Sequence, residues 1–467
     1  MSTLDRPEIR FRRRRDDVTL SWPPGSKFRF PEPFLWGAAS ASHQVEGEDV
    51  HSDWWRYERE PGNVQNFFEF PEFGQQFKSD HWRQFPEDIV RMKADLGLNA
   101  YRFSLDWSRI EPVEGQWDEA VIDRYVSLCG QMRELGIRPL VTLFHWSSPD
   151  WIWEPGNEES SGWYHPSIVD RFGAFCERVV QSLAKVVDLW VTFNEPNVFL
   201  YGGFSEGVLA PGHCRPDREL LPIQRHLLLC HRNAYRTIHE SRDGAQVGIA
   251  QQITPFEPVS RWNPLEGWLS ARVEQAFSWA FGDSIHTGEL VLPTRSGAVI
   301  REQIEGLSGT VDFSGVNYYE RMLLRIPWGV CVQRVEAIHD HFGTKEIWPR
   351  EINTRAFVEI LERVQSRYGL PIYVTENGRS HSDDSQRQRF LEQHLCALGH
   401  ALENLDVDVR GYFYWSLLDN QEWANGFTPR LGLYEVDYSD GSRSLRDTGR
   451  RYAEIIQSGE ICADSLI

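Results

Sequence analysis

Two short stretches each end an apolar run on a carboxylate: Trp190-Val191-Thr192-Phe193-Asn194-Glu195-Pro196 and Tyr373-Val374-Thr375-Glu376-Asn377-Gly378. One glutamate after a strand is ordinarily a solvated cap or an ion-pair partner. Two, delivered from separate strands to one mouth, form the pair that cleavage of a glycosidic bond requires. One carboxylic acid protonates the departing oxygen, and the other carboxylate attacks the anomeric carbon or activates a water to do so. The two groups need contrasting surroundings, so that one stays protonated while the other is ionised.

Such a pair needs a scaffold that brings distant strand ends together. The apolar, β-branched runs predict strands at Phe34–Ala41, Ala100–Leu105, Pro139–Phe144, Leu189–Phe193, Gln246–Gln251, Phe313–Tyr318, Ile372–Thr375 and Gly411–Trp415. Most are nearly continuous in apolar residues, as strands buried on both faces are. Between them, segments with apolar residues at three- and four-residue steps predict helices over Pro86–Leu96, Ala120–Leu135, Ser167–Lys185, Leu221–Ser241, Thr354–Tyr368 and Gln386–Asn404. Gly97, Gly136 and Gly369 end three of them, as helix C-caps favour. Eight strands with intervening helices imply an α/β fold, a single (β/α)8 barrel with long βα loops. The alternative, a doubly wound sheet, would show a Gly-rich phosphate turn after its first strand, and Gly37-Ala38-Ala39 is a poor one. Barrel enzymes place their chemistry at the C-terminal strand ends, where Glu195 and Glu376 close the fourth and seventh expected strands.

The 467 residues suit one barrel domain over 28–467, preceded by a solvated tail over 1–27 that holds the basic run Arg10 and Arg12 to Arg15. The 19 tryptophans suit a large core together with a sugar-stacking cleft. A formal net charge of −19 argues against nucleic acid as a partner. No apolar targeting region or membrane-spanning run is evident. The seven cysteines, at 129, 176, 214, 230, 331, 396 and 462, include no Cys-x-x-Cys pair, which is the expectation for free thiols in a reducing cytoplasm.

The stretches Thr192-Phe193-Asn194-Glu195-Pro196 and Val374-Thr375-Glu376-Asn377-Gly378 resemble the two signatures of glycoside hydrolase family 1, and the resemblance runs from about Phe30 to about Arg451. It includes Phe34-Leu35-Trp36-Gly37-Ala38-Ala39-Ser40 with Gln44-Val45-Glu46-Gly47, Tyr101-Arg102-Phe103-Ser104, Val141-Thr142-Leu143 with His145-Trp146, Gly315-Val316-Asn317-Tyr318-Tyr319, and Trp415-Ser416-Leu417-Leu418-Asp419-Asn420 with Glu422-Trp423. The resemblance implies a retaining β-glycosidase with Glu195 as acid/base and Glu376 as nucleophile, acting on a small-molecule β-glycoside without cofactor or metal. It implies that Arg102 and Tyr319 hold Glu376 ionised, that Asn194 binds the sugar 2-hydroxyl, and that Asn317 orients that region. Gln44, His145, Glu422 and Trp423 match the set that binds the non-reducing sugar, over a floor formed by Trp415. A carboxylate at Glu422 would repel a 6-phosphate, so unphosphorylated glucosides, galactosides or fucosides are expected.

Three departures lie beside these positions. His43 and Gln421 stand where the family has other residues, and in Lys345-Glu346-Ile347-Trp348-Pro349 a lysine replaces an aglycone-lining tryptophan. Trp146, Lys345 and Trp348 are therefore the aglycone-side candidates. Phe67, Phe68, Phe70, Phe73 and Phe77 read either as an aromatic lip or as a cluster tying down a long loop. Two rivals share the pattern: a transglycosylase with the same catalytic groups, and a non-catalytic sugar-binding protein. The second would lose a carboxylate or Arg102, and all three are present.

Overall fold

A computed structural model describes residues 20, 25–158, 160–294, 298–326 and 351–463. Eight parallel strands close into a barrel: β1 (Leu35–Ala39), β2 (Ala100–Ser104), β3 (Arg138–Phe144), β4 (Leu189–Asn194), β5 (Gln246–Gln252), β6 (Phe313–Asn317), β7 (Ile372–Asn377) and β8 (Val409–Trp415). Each pairs with its neighbour in sequence, and β8 closes on β1 through Gly411 opposite Leu35 and Trp415 opposite Ala39. The strands are buried almost throughout, because side chains on one face fill the barrel and those on the other meet the helices.

The outer ring is α1 (His81–Ala94), α2 (Glu119–Glu134), α3 (Ile168–Leu183), α4 (Asp217–Ser241), α5 (Ala280–Thr287), α6 (Thr354–Tyr368), α7 (Asp384–Asn404) and α8 (Asp447–Ser458). Their ends follow ordinary capping chemistry. Asp118 accepts from the amides of Ala120 and Val121 at the start of α2, and Asn353 accepts from that of Ala356 at the start of α6. Gly369, at φ +65°, closes α6 in the left-handed conformation. No helix among the described residues is long and apolar enough to cross a membrane.

The barrel departs from regular pairing at particular places. Register shifts fall between Val191 and Asn194 on β4, between Val316 and Asn317 on β6, and between Val374 and Asn377 on β7. These three lie at C-terminal strand ends, where a bulge re-aims side chains toward the mouth, and a fourth falls between Ile372 and Tyr373 at the start of β7.

At the opposite end Lys27–Arg29 pairs antiparallel with Glu460–Cys462. This ribbon begins inside the tail drawn to residue 27, and the Leu20 amide donates to Thr354 Oγ1 at 2.9 Å. The long β1–α1 connection packs down rather than standing off. Phe67 and Phe70 lie 6.0 and 4.9 Å from the Phe427 ring, Phe73 lies 4.8 Å from Phe77, and Phe68 is exposed. Most of the phenylalanine stretch is thus a cluster holding the loop.

Candidate active site

β2, β4, β6 and β7 deliver one polar network to the barrel mouth. Arg102, buried on β2, is its centre. Its Nη1 donates to Glu376 Oε1 at 2.6 Å and to the Thr375 carbonyl at 3.1 Å. Its Nη2 donates to Asn194 Oδ1 at 2.5 Å, and its Nε to Thr142 Oγ1 at 3.2 Å. The guanidinium is planar and positively charged, so it fixes the carboxylate in plane and charge together. Tyr319 Oη donates to the other Glu376 oxygen, Oε2, at 2.6 Å.

Glu195 is held differently. It sits at φ +42°, a left-handed conformation that a non-glycine residue adopts only when its surroundings impose it. Its amide donates to the Ala250 carbonyl on β5 at 2.6 Å, and Pro196 opens a helix over Pro196–Phe204 immediately after it. Its carboxyl receives Asn317 Nδ2 at 2.8 Å. Thr375 Oγ1 donates to Asn317 Oδ1 at 2.6 Å, which fixes that amide with its nitrogen toward Glu195 and Asn194.

Those surroundings separate the two carboxyl groups. Burial pushes Glu195 well above the ordinary carboxylate range, and the charge of Glu376 pushes it further. Burial also raises Glu376, but Arg102 and Tyr319 draw it back. Glu195 is thus the group that keeps its proton, and Glu376 the one that ionises first. The arrangement can protonate one atom while another attacks.

The sugar-side candidates lie beside this pair. Asn194 Nδ2 donates to His145 Nε2 at 2.8 Å, so His145 Nε2 accepts and its Nδ1 carries the hydrogen. Burial, with Arg102 nearby, holds His145 well below the ordinary imidazole range and therefore neutral. Among the described residues its Nδ1 and Gln44 Oε1 are buried without a protein partner, a donor and an acceptor left over for a ligand. Gln44 Nε2 donates to the Gln421 carbonyl at 2.7 Å, to Asn420 Oδ1 at 2.9 Å and to Glu422 Oε2 at 3.3 Å. Burial raises Glu422 to about 8, with the Glu376 charge adding to it. Trp423 lies 4.7 Å from Trp146 and 5.7 Å from His145, and Trp415 lies 5.9 Å from His145. Gly378 is required behind that floor, since a Cβ there would meet the Trp415 carbonyl oxygen at 1.8 Å. Trp146 and Trp423, like Glu195, have positive φ, at +71° and +48°.

The glycosyl hydrolase family 1 profile matches residues 26–461. This chain belongs to glycosyl hydrolase family 1. Beta-glucosidase 6 of Oryza sativa subsp. japonica is 32% identical to it, over 88% of this chain and 87% of that protein. Beta-glucosidase A of Thermotoga maritima is 31% identical, over 92% of this chain and 98% of that protein. A β-glycosidase from Pyrococcus horikoshii superposes with a TM-score of 0.81 at 33% identity, covering 94% of this chain and 97% of that one. A β-glucosidase from Thermotoga maritima in complex with deoxynojirimycin gives 0.80 at 29% identity, covering 92% and 99%. The chain is accordingly a β-glycosidase.

Within this glycosidase the structure brings together Glu195, Glu376, Arg102, Tyr319, Asn194, Asn317, His145, Gln44, Glu422, Trp423, Trp415 and Trp146. Trp146 lies against Trp423 and donates from Nε1 to the Asn194 carbonyl at 3.0 Å, so its contacts among the described residues are with the sugar-side group. Lys345 and Trp348 lie outside the described residues. Sequence reasoning missed the supporting roles of Thr142, Thr375 and Asn420. Each lies inside or beside a quoted motif, but only the folded register shows which atom it faces. It also missed Lys78 and Glu58, which no motif contains.

Proposed function

We propose that the protein hydrolyses the terminal β-D-glucosyl residue of unphosphorylated β-glycosides with retention of configuration. The observation that carries the acid-and-carboxylate chemistry is the asymmetry of the two buried carboxyls, and retention rests on the family to which the chain belongs. Glu376 takes an arginine and a tyrosine hydroxyl on separate oxygens, whereas Glu195 takes an amide and stays protonated.

In the first step a Glu376 oxygen attacks the anomeric carbon as the bond to the leaving oxygen breaks, and Glu195 gives its proton to that oxygen. A glycosyl ester of Glu376 forms. In the second step Glu195, now a carboxylate, takes a proton from water as the water oxygen attacks the same carbon and the ester bond breaks. Two inversions give net retention. Asn194, fixed by Arg102 and Asn317, is suited to a sugar hydroxyl beside the reacting carbon.

The polar contacts of Glu422 support an unphosphorylated sugar. It accepts from Gln44, Trp415 lies beside it, and among the described residues no cation stands there to receive a phosphate. The glucoside preference rests on the matched relatives, which are named for glucosidase rather than transferase activity.

Proton NMR of an aryl β-glucoside digest tests the reading. The first sugar released is expected to be the β anomer, with the α anomer growing in by mutarotation. Initial α-glucose would overturn it.

A further inference from the structure

Behind the sugar-side residues lies a group of charged side chains that the reaction does not use. His43, Asp49, Glu58, Lys78 and Gln421 are each no more than 2% exposed. His43 places Nδ1 against Asp49 Oδ2 and Nε2 against Glu58 Oε2, the latter at 3.1 Å. Both ring nitrogens face carboxylates, so both must donate, and the ring is an imidazolium. Lys78 Nζ contacts the same Glu58 oxygen and donates to Gln421 Oε1 at 2.5 Å. Arg59 closes the group at its edge, with Nη1 2.6 Å from Glu58 Oε1. Two buried cations thus meet two buried anions. Lys78 also has φ +54°. Burying an ammonium and holding a non-glycine residue left-handed both oppose folding, and such features persist where the surroundings over-determine them.

The cluster is joined to the sugar side at two points. The Gln421 carbonyl receives Gln44 Nε2 at 2.7 Å, and the Gln421 amide donates to the Gln44 carbonyl at 3.2 Å. The His43 ring stacks on Trp423 at 5.7 Å and 11°. Moving Gln421 therefore moves Gln44, whose Oε1 has no partner among the described residues, and the Glu422-Trp423 pair that follows directly.

We propose that Lys78 is a positioning residue for sugar recognition: by clamping the Gln421 side chain it sets the register of Gln44, Glu422 and Trp423, and so sets the discrimination between sugars that differ in one hydroxyl. Its ammonium can take only an acceptor, so Gln421 must present its oxygen inward, and that fixes the side-chain rotamer behind the backbone that Gln44 reads. A site that hydrogen-bonds a sugar hydroxyl discriminates by leaving its own polar groups unpaired when the hydroxyl points elsewhere. That discrimination weakens when the partner is free to follow the wrong hydroxyl. The proposal rests on the glycosidase reading of the same pocket.

The test is kcat/KM for 4-nitrophenyl β-glucoside and β-galactoside in Lys78→Met, Gln421→Met and the double variant. In both single variants the glucoside value is expected to fall about tenfold, mostly through KM, and the glucoside-to-galactoside ratio to change about fivefold or more. The double variant should match the worse single variant within about twofold, because both changes act through one contact. A purely structural role would lower both substrates together and leave the ratio alone. Ratios within about twofold of the unmodified protein in both single variants, or effects that multiply in the double variant, would overturn the proposal. Where Lys78→Met does not fold, Gln421→Met decides, since it leaves Lys78, Glu58 and His43 paired: a shifted ratio supports and an unchanged ratio refutes. An unmodified protein that cleaves neither substrate would instead refute the glycosidase reading.

Discussion

Changing Tyr319 to Phe removes one oxygen and leaves the ring in place. The lost group is the donor 2.6 Å from Glu376 Oε2, while Arg102 still holds Oε1. Burial keeps the Tyr319 hydroxyl well above the ordinary phenol range, so it is a neutral donor throughout any assay. A hydrogen bond to a buried charged group is worth about 1.5–3 kcal/mol. It favours ionised Glu376, so losing it raises that group's pKa by about 1 to 2 units. The acid limb of kcat/KM, which reports Glu376 in the free enzyme, should move to higher pH by that amount. On the acid side of the limb the variant should be slower by roughly 10- to 100-fold, and the deficit should shrink as pH rises above it. The basic limb, which reports Glu195, is the internal reference. The assay is initial-rate hydrolysis of an aryl β-glucoside from pH 4 to 10 at constant ionic strength. An acid limb that stays in place or moves down, or a deficit independent of pH, would refute the assignment of Tyr319 as the donor that keeps Glu376 ionised.

Other changes follow from the same contacts. Glu195→Gln should lower turnover of substrates with poor leaving groups by about 10²–10⁴-fold while sparing dinitrophenyl glycosides in the first step, and azide should restore turnover as a β-glycosyl azide seen by mass spectrometry. Burial raises Glu422 from 4.5 to about 8, so the folded protein holds a proton there that the unfolded chain has lost. Stability from this group is therefore complete below about pH 4.5 and is lost as pH rises toward 8, and Glu422→Gln should flatten the fall of Tm across that window while abolishing sugar binding. Arg102→Met strands a buried carboxylate, and urea unfolding at pH 7 should show a loss of about 3–5 kcal/mol. Gly378→Ala should drive the Trp415 carbonyl away and give little soluble protein or a sharply lowered Tm by calorimetry.

The barrel was legible because its strands are buried on both faces, which makes them continuous apolar runs rather than alternating ones. Their order and the two carboxylate-bearing ends could be read for the same reason. The segment between β5 and β6 was not, because its helix Pro264–Glu274 leaves Leu265 and Trp268 exposed and shows no apolar stripe. Helix α8 does bury Thr448, Tyr452 and Ile455 at helical spacing, a signal that lay past the last strand. Within the site, residue types spoke for Glu195, Glu376 and Arg102. What could not be read were contacts set by register shifts, such as Asn317 reaching from β6 to Glu195. The Lys78 cluster was hidden by distance along the chain: Lys78 is 20 residues from Glu58 and 343 from Gln421. His43 and Gln421 were visible as departures, and their common cause, a buried lysine between carboxylate and amide, needed the fold.

The central claim is that Glu376 forms the covalent bond to the sugar. Incubation with 2,4-dinitrophenyl 2-deoxy-2-fluoro-β-glucoside, followed by intact mass and peptide mapping, measures it. The fluorine slows both steps and the good leaving group restores the first, so the ester accumulates. The account predicts one fluoroglucosyl group per chain, carried on Glu376 in the peptide spanning Ile372–Asn377, with activity lost in proportion. A label on any other residue, or full inactivation with no covalent mass, would contradict it.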